Sequence, residues 1–181
     1  MDTYKKNWFK FVVGFIACLL IRLIPFRAPN IEPVLATQMP FSKAYGAFAG
    51  FLFAFLNIAL FDFITGKLGI WTLLTASTYG VLGFWSAYYF KKHKANRANY
   101  VRFAILGTLF FDAVTGLSIG PLFFHQSFME AFIGQIPFTG LHLVGNISFA
   151  IVLSPALYRF VVENKRLETA SIVNIFNFKR I

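Results

Sequence analysis

Apolar residues run through this chain in long blocks, and charged residues collect where the blocks end. Trp8 to Ile24, Lys43 to Asp62, Ile70 to Phe90, Tyr100 to Thr115 and Phe138 to Val162 each read as one helix of about the length needed to cross a hydrocarbon core of about 30 Å. After the first block, Pro25, Pro29 and Pro33 each remove a backbone donor and push the preceding residue toward extended geometry, so this stretch is a loop. A shorter block, Glu32 to Ser42, carries Pro40. As a helix its roughly ten residues reach only about 15 Å, half a bilayer core. If it crosses nonetheless, its outer end starts below the membrane surface, as a pocket opening outward would require.

Charge decides how often the chain crosses. Lysine and arginine sit at Lys5, Lys6 and Lys10, at Lys91, Lys92, Lys94 and Arg97, and at Lys165, Arg166, Lys179 and Arg180. Cytoplasmic loops carry such an excess, and all three clusters fall on one side only if the short block counts as a span. The reading is therefore all-α: a polytopic membrane protein with a six-helix bundle, a short second helix, and both termini in the cytoplasm. Residues 1–162 form the membrane domain and 163–181 a basic tail. The segment 121–136 would reverse the last helix if it crossed, so an amphipathic outer-surface helix is expected there. The basic start followed by an apolar run resembles a signal peptide, but the run is long, carries Arg22 and lacks a small-x-small cleavage site, so a retained helix is expected.

Composition sharpens this in two places. The 181 residues are 57% hydrophobic and 13% charged, too apolar for an ordinary soluble domain. The net charge of +10 invites nucleic-acid binding, yet the cations flank apolar blocks rather than forming a stripe, so nucleic acid is not expected as a partner. With one cysteine, Cys18, neither a disulfide nor a cysteine metal site can form within the chain.

The candidate chemistry centres on a repeat. Phe61-Asp-Phe-Ile-Thr-Gly66 returns as Phe111-Asp-Ala-Val-Thr-Gly116, each copy ending an apolar run on the same outer side. A carboxylate there is costly unless it reaches water, a cavity or a partner. Asp62 and Asp112 thus either share a pocket or mark interfacial helix ends beside glycine stops. Trp71, Thr72, Thr75 and Tyr79 recur at helical spacing, a stripe of hydroxyls and aromatic faces that suits a flat heterocycle, or hydrogen bonding between helices. Asn30 and Glu32 lie among the loop prolines, and Gln126 and Glu130 on the amphipathic segment; each set is either pocket wall or solvated surface. His142 and Asn146, four apart, share one helix face. Gly14 with Cys18, and Gly46 with Gly50, provide small-residue faces for close helix neighbours. His125, His142 and Asp112 lie on one side and can form an acid–base or metal set, but no ligand-spaced cluster argues for a metal, and no cofactor is expected. Neither a phosphate-binding Gly-x-x-x-x-Gly-Lys-Ser/Thr loop nor a Gly-x-Ser-x-Gly nucleophile elbow is present.

The outer Asn30-x-Glu-Pro33 loop, the Tyr45-Gly46 entry to the third helix, Phe61-Asp-x-x-Thr-Gly-x-x-Gly-Ile-Trp-Thr72 and Thr75-x-x-x-Tyr-Gly80 resemble the S components of energy-coupling factor transporters over residues 8–162. The resemblance implies a subunit that captures a vitamin or related small nutrient outside the cell. It also implies docking in the lipid on a transmembrane coupling protein that carries two ATPase subunits. It places the ligand among Asn30, Glu32, Asp62, Lys67, Trp71 and the segment Gln126 to Asn146. Many members carry Ala-x-x-x-Ala on the first helix as a docking face; the nearest equivalent here is Gly14-x-x-x-Cys18. Metal-specific members use a histidine near the N-terminus, which this chain lacks. Two other classes remain: a small intramembrane enzyme using Asp112 and His142, and a non-catalytic accessory subunit.

Overall fold

The computed structural model describes residues 7–25 and 31–167. Asn30 and the tail from residue 168 onward lie outside these described residues. Helices α1 (Trp8–Leu23), α2 (Val34–Tyr45), α3 (Ala47–Ile64), α4 (Ile70–Lys92), α5 (Arg97–Gly116), α6 (Ile119–Phe123) and α7 (Phe128–Leu157) follow in order, with no strand among the described residues. Three helical stretches, Ala47–Ile64, Arg97–Phe123 and Phe128–Val162, are long and apolar enough to cross a membrane.

The short helix α2 is the centre of the bundle. Every residue from Pro33 to Ser42 is buried, and α1, α3, α4, α5 and α7 all pack against it. A helix enclosed all round buries its polar side chains too, here Thr37, Gln38 and Ser42. Pro40 removes the N–H that would have bonded the Ala36 carbonyl. Ser154 of α7 fills that vacancy, its Oγ donating to Ala36 O at 2.8 Å. The proline thereby ties α2 to α7. Gly46, at φ 93°, breaks the chain between α2 and α3 in a conformation that side chains disfavour.

The sequence of α1 is ordered inside out. Lys10, Gly14, Cys18 and Arg22, four apart, form its buried stripe, while Phe9, Val12, Val13, Ile16 and Leu20 are exposed. That is the arrangement expected when the solvent is lipid. A side chain at Gly14 would run into the Phe41 ring, and one at Gly50 would meet the Gly83 backbone of α4. Gly14, Cys18 and Gly50 are therefore buried within the molecule's own packing. This corrects the expectation that they present a docking face: small residues at helix contacts allow close approach, and here the approach is internal.

The start of α1 and the end of α2 are tied to their neighbours by side chains. Lys10 Nζ donates to the carbonyls of Val162 (3.1 Å) and Asn164 (2.7 Å) at the end of α7, and Lys43 Nζ donates to Phe90 O at 2.7 Å. Both place a cation on the carbonyl-rich end of a helix. Tyr45 Oη donates to Asn7 O at 2.7 Å, closing the α1–α2 contact.

The outer-surface segment 121–136 divides in two. Its first part is the short α6 and a turn, and from Phe128 onward it is continuous with the last helix, which had been expected to begin at Phe138. The reason is local: Ser127 and Glu130 form a reciprocal cap, with Ser127 N and Oγ donating to Glu130 Oε2 at 2.9 and 2.8 Å. At about 1.5 Å per residue, the 30 residues of α7 run to roughly 45 Å, longer than a bilayer core.

Candidate functional site

A cavity of about 600 Å³ opens at one end of the bundle between α1, α3, α4, α5, α6 and α7. Glu32, one residue before the cap of α2, lines it, so the cavity lies over the start of the short central helix.

The repeat organises two of its walls. Thr65 Oγ1 donates to Phe61 O and Thr115 Oγ1 to Phe111 O, both at 2.8 Å, so the two copies share one hydrogen bond, although Thr65 caps α3 while Thr115 lies inside the last turn of α5. Phe61 and Asp62 from one copy, and Phe111, Thr115 and Gly116 from the other, face the cavity. The two aspartates differ in their surroundings. Asp62, half-buried at the rim, accepts from Thr72 Oγ1 at 2.7 Å, and Thr72 Oγ1 in turn accepts from Gly69 N at 3.1 Å. This closes the α3–α4 turn, which Gly66 makes at φ 67°.

Asp112 is buried behind the wall rather than lining it. Its Oδ1 lies 2.8 Å from His142 Nδ1, and His142 Nε2 lies 3.4 Å from Tyr79 Oη. A carboxylate, an imidazole and a phenol from three helices thus form one row ending at the cavity.

Aromatic rings surround this row. Tyr79 lies against Phe111 with centroids 4.3 Å apart, and Phe111 and Phe138 both meet His142 edge-on at 5.7 and 5.9 Å. Nearer the mouth, Trp71 tilts against Phe124 at 6.0 Å. On the opposite wall Arg22 is buried. Its guanidinium donates to Asn57 O at 2.7 Å, contacts both Glu32 carboxylate oxygens at 3.2 Å, and lies 4.2 Å above the Phe61 ring. Lys67, Gln126 and Gln135 add polar groups.

Of the residues singled out from the sequence, Glu32, Asp62, Lys67, Trp71, Thr75, Tyr79, Gln126 and His142 line this one cavity. Three belong elsewhere. Asp112 acts behind His142. Glu130 is fully exposed in the α7 cap, because a glutamate three residues after a serine satisfies free helix N–H groups and needs no pocket. Asn146 sits one turn inward from His142, buried, with Nδ2 donating to Thr108 Oγ1 at 2.8 Å, a helix-to-helix hydrogen bond. His125 is exposed and not part of the site, and no metal-binding group of three or more ligands occurs among the described residues. Sequence reasoning missed Arg22, although an arginine inside an apolar helix ten residues before a glutamate is such a signal. It also missed Phe111 and Thr115, which the repeat itself contains, and the individual contributions of Gln135 and Phe138.

The arrangement offers flat aromatic faces, a polar inner end and a polar mouth. The family model described as ECF-type riboflavin transporter, S component, matches residues 9–159. No curated protein and no solved structure gives a significant match.

Proposed function

Because the chain belongs to the family of S components of ECF-type riboflavin transporters, we propose that its cavity captures riboflavin at the outer face of the membrane for uptake powered by ATPase subunits on other chains. The observation that carries this reading is the cavity itself. Trp71, Tyr79, Phe111 and Phe138 supply ring faces and edges, and hydrogen-bonding groups stand at both ends, which suits a flat heterocycle with a hydroxylated tail. A family of transporter subunits also gives Asp112 and His142 a place in binding rather than turnover.

Titrating riboflavin into the purified full-length protein in detergent, and following the quenching of flavin fluorescence, tests this. Saturable one-to-one binding at submicromolar concentration is expected. Absence of binding up to about 100 μM, a level reached by weak nonspecific contacts, sinks the reading.

The outward direction of the cavity is part of the same proposal. It rests on the basic stretch Lys91 to Arg97 between α4 and α5, at the end of the bundle opposite the cavity. In intact cells a membrane-impermeant thiol reagent is expected to label Lys67→Cys and to spare His93→Cys in a Cys18→Ser background. The reverse pattern turns the cavity toward the cytoplasm.

A further inference from the structure

The polar groups at the inner end of the cavity come from helices far apart in sequence, and their hydrogen-bonding roles are constrained. Asp112 Oδ1 is 2.8 Å from His142 Nδ1. An ionised carboxylate only accepts, so Nδ1 carries a proton. In the neutral ring Nε2 is then an acceptor beside the Tyr79 hydroxyl, which donates. In the imidazolium Nε2 donates and the phenol oxygen accepts. Either way, Tyr79 and His142 show the cavity one donor and one acceptor side by side.

The pair is poorly satisfied by itself. At 3.4 Å, Tyr79 Oη and His142 Nε2 are farther apart than a good hydrogen bond, so a ligand that takes both loses little by separating them. Asp112 does not reach the cavity, and its Oδ2 is buried with no hydrogen-bond partner. Its one hydrogen bond among the described residues is to the imidazole, so its work is to hold that ring.

Resting on the reading of the cavity as a riboflavin site, we infer that Tyr79 and His142 recognise the imide edge of the flavin ring, with Asp112 as the positioning residue behind them. An imide presents carbonyl, N–H and carbonyl in a row. The N–H goes to whichever of the pair accepts, and a neighbouring carbonyl takes the one that donates. Because the edge is symmetric about its nitrogen, it satisfies the pair in either protonation state of the histidine. Phe111 and Phe138 flank the ring at this depth, and the ribityl hydroxyls face the mouth near Asp62, Lys67 and Gln126.

The experiment compares riboflavin with 3-methylriboflavin, in which the imide N–H is replaced by N–CH₃, on the full-length protein. The parent is expected to bind the methyl analogue at least about tenfold more weakly, the effect of losing one buried hydrogen bond and crowding its partner. His142→Ala removes the acceptor and opens space, so the two ligands are expected to bind within about twofold of each other. Asp112→Leu releases the ring and is expected to shrink the ratio of the two affinities, whereas a purely structural role would weaken both ligands alike and leave the ratio unchanged. Equal binding of the two flavins by the parent overturns the inference without any variant having to fold, and so does full discrimination in His142→Ala. A parent that binds neither flavin overturns the riboflavin reading itself.

Discussion

Replacing Arg22 with methionine is expected to cause the largest loss of stability of any single change in the cavity wall. The guanidinium is 5% exposed and holds three things at once: the Asn57 carbonyl, the Glu32 carboxylate and the Phe61 ring face. Removing one partner of a buried ion pair costs roughly 3–5 kcal/mol. The Glu32 side chain keeps 22% of its exposure, so the lower end applies, about 3 kcal/mol. For a chain of this size that corresponds to a fall in apparent melting temperature of about 6–12 °C, measured by the loss of the monodisperse peak after heating in detergent. The diagnostic comparison is the double variant with Glu32→Gln, which removes the carboxylate charge as well and is expected to recover most of the fall. If the double variant melts no higher than the single one, the cost lies in packing and the ion pair is incidental.

Trp71→Ala is expected to weaken riboflavin binding by about 30-fold or more, the usual effect of truncating a central aromatic contact. Trp71 lines the cavity and is 37% exposed, so a broad face is open to a flat ring. Its position is fixed from two sides. Phe124 tilts against it, and the absence of a side chain at Gly69 leaves room for the indole, which a Cβ there would strike. Trp71→Phe keeps a ring face and is expected to bind within a few-fold of the parent. Equal affinity in the alanine variant, read by the same fluorescence titration, would show that the flavin does not lie against this wall.

Much of the architecture was legible because bilayer physics writes it into the composition. Blocks of apolar residues bounded by lysine and arginine located α1, α3, α4 and α5 to within a few residues, and the charge bias gave the short second helix its place. The last helix was legible only in part. Its start depends on a two-residue cap, Ser127 with Glu130, that overrides the amphipathic look of the segment. The site was readable where chemistry repeats, in Phe61-Asp62 and Phe111-Asp112, and where polar groups recur at helical spacing on α4. The sequence could not show that the two aspartates serve different ends, because that depends on which helix packs against each. Asp62 meets Thr72 ten residues away, whereas Asp112 meets His142 thirty residues away. Small residues misled for a related reason. Gly14 and Gly50 mark close approach without naming the neighbour, and the neighbours are Phe41 and Gly83 of the same chain.

The brevity of α2 has a consequence for size selection. Its 12 residues rise about 18 Å, some 12 Å less than a membrane interior, and Glu32 at its start borders the empty volume. The missing two turns leave the depth that the cavity takes up. Adding one turn to α2 would raise the base of the bowl by about 5 Å and carry Glu32 with it. The length of one enclosed rod therefore sets the depth of the bowl.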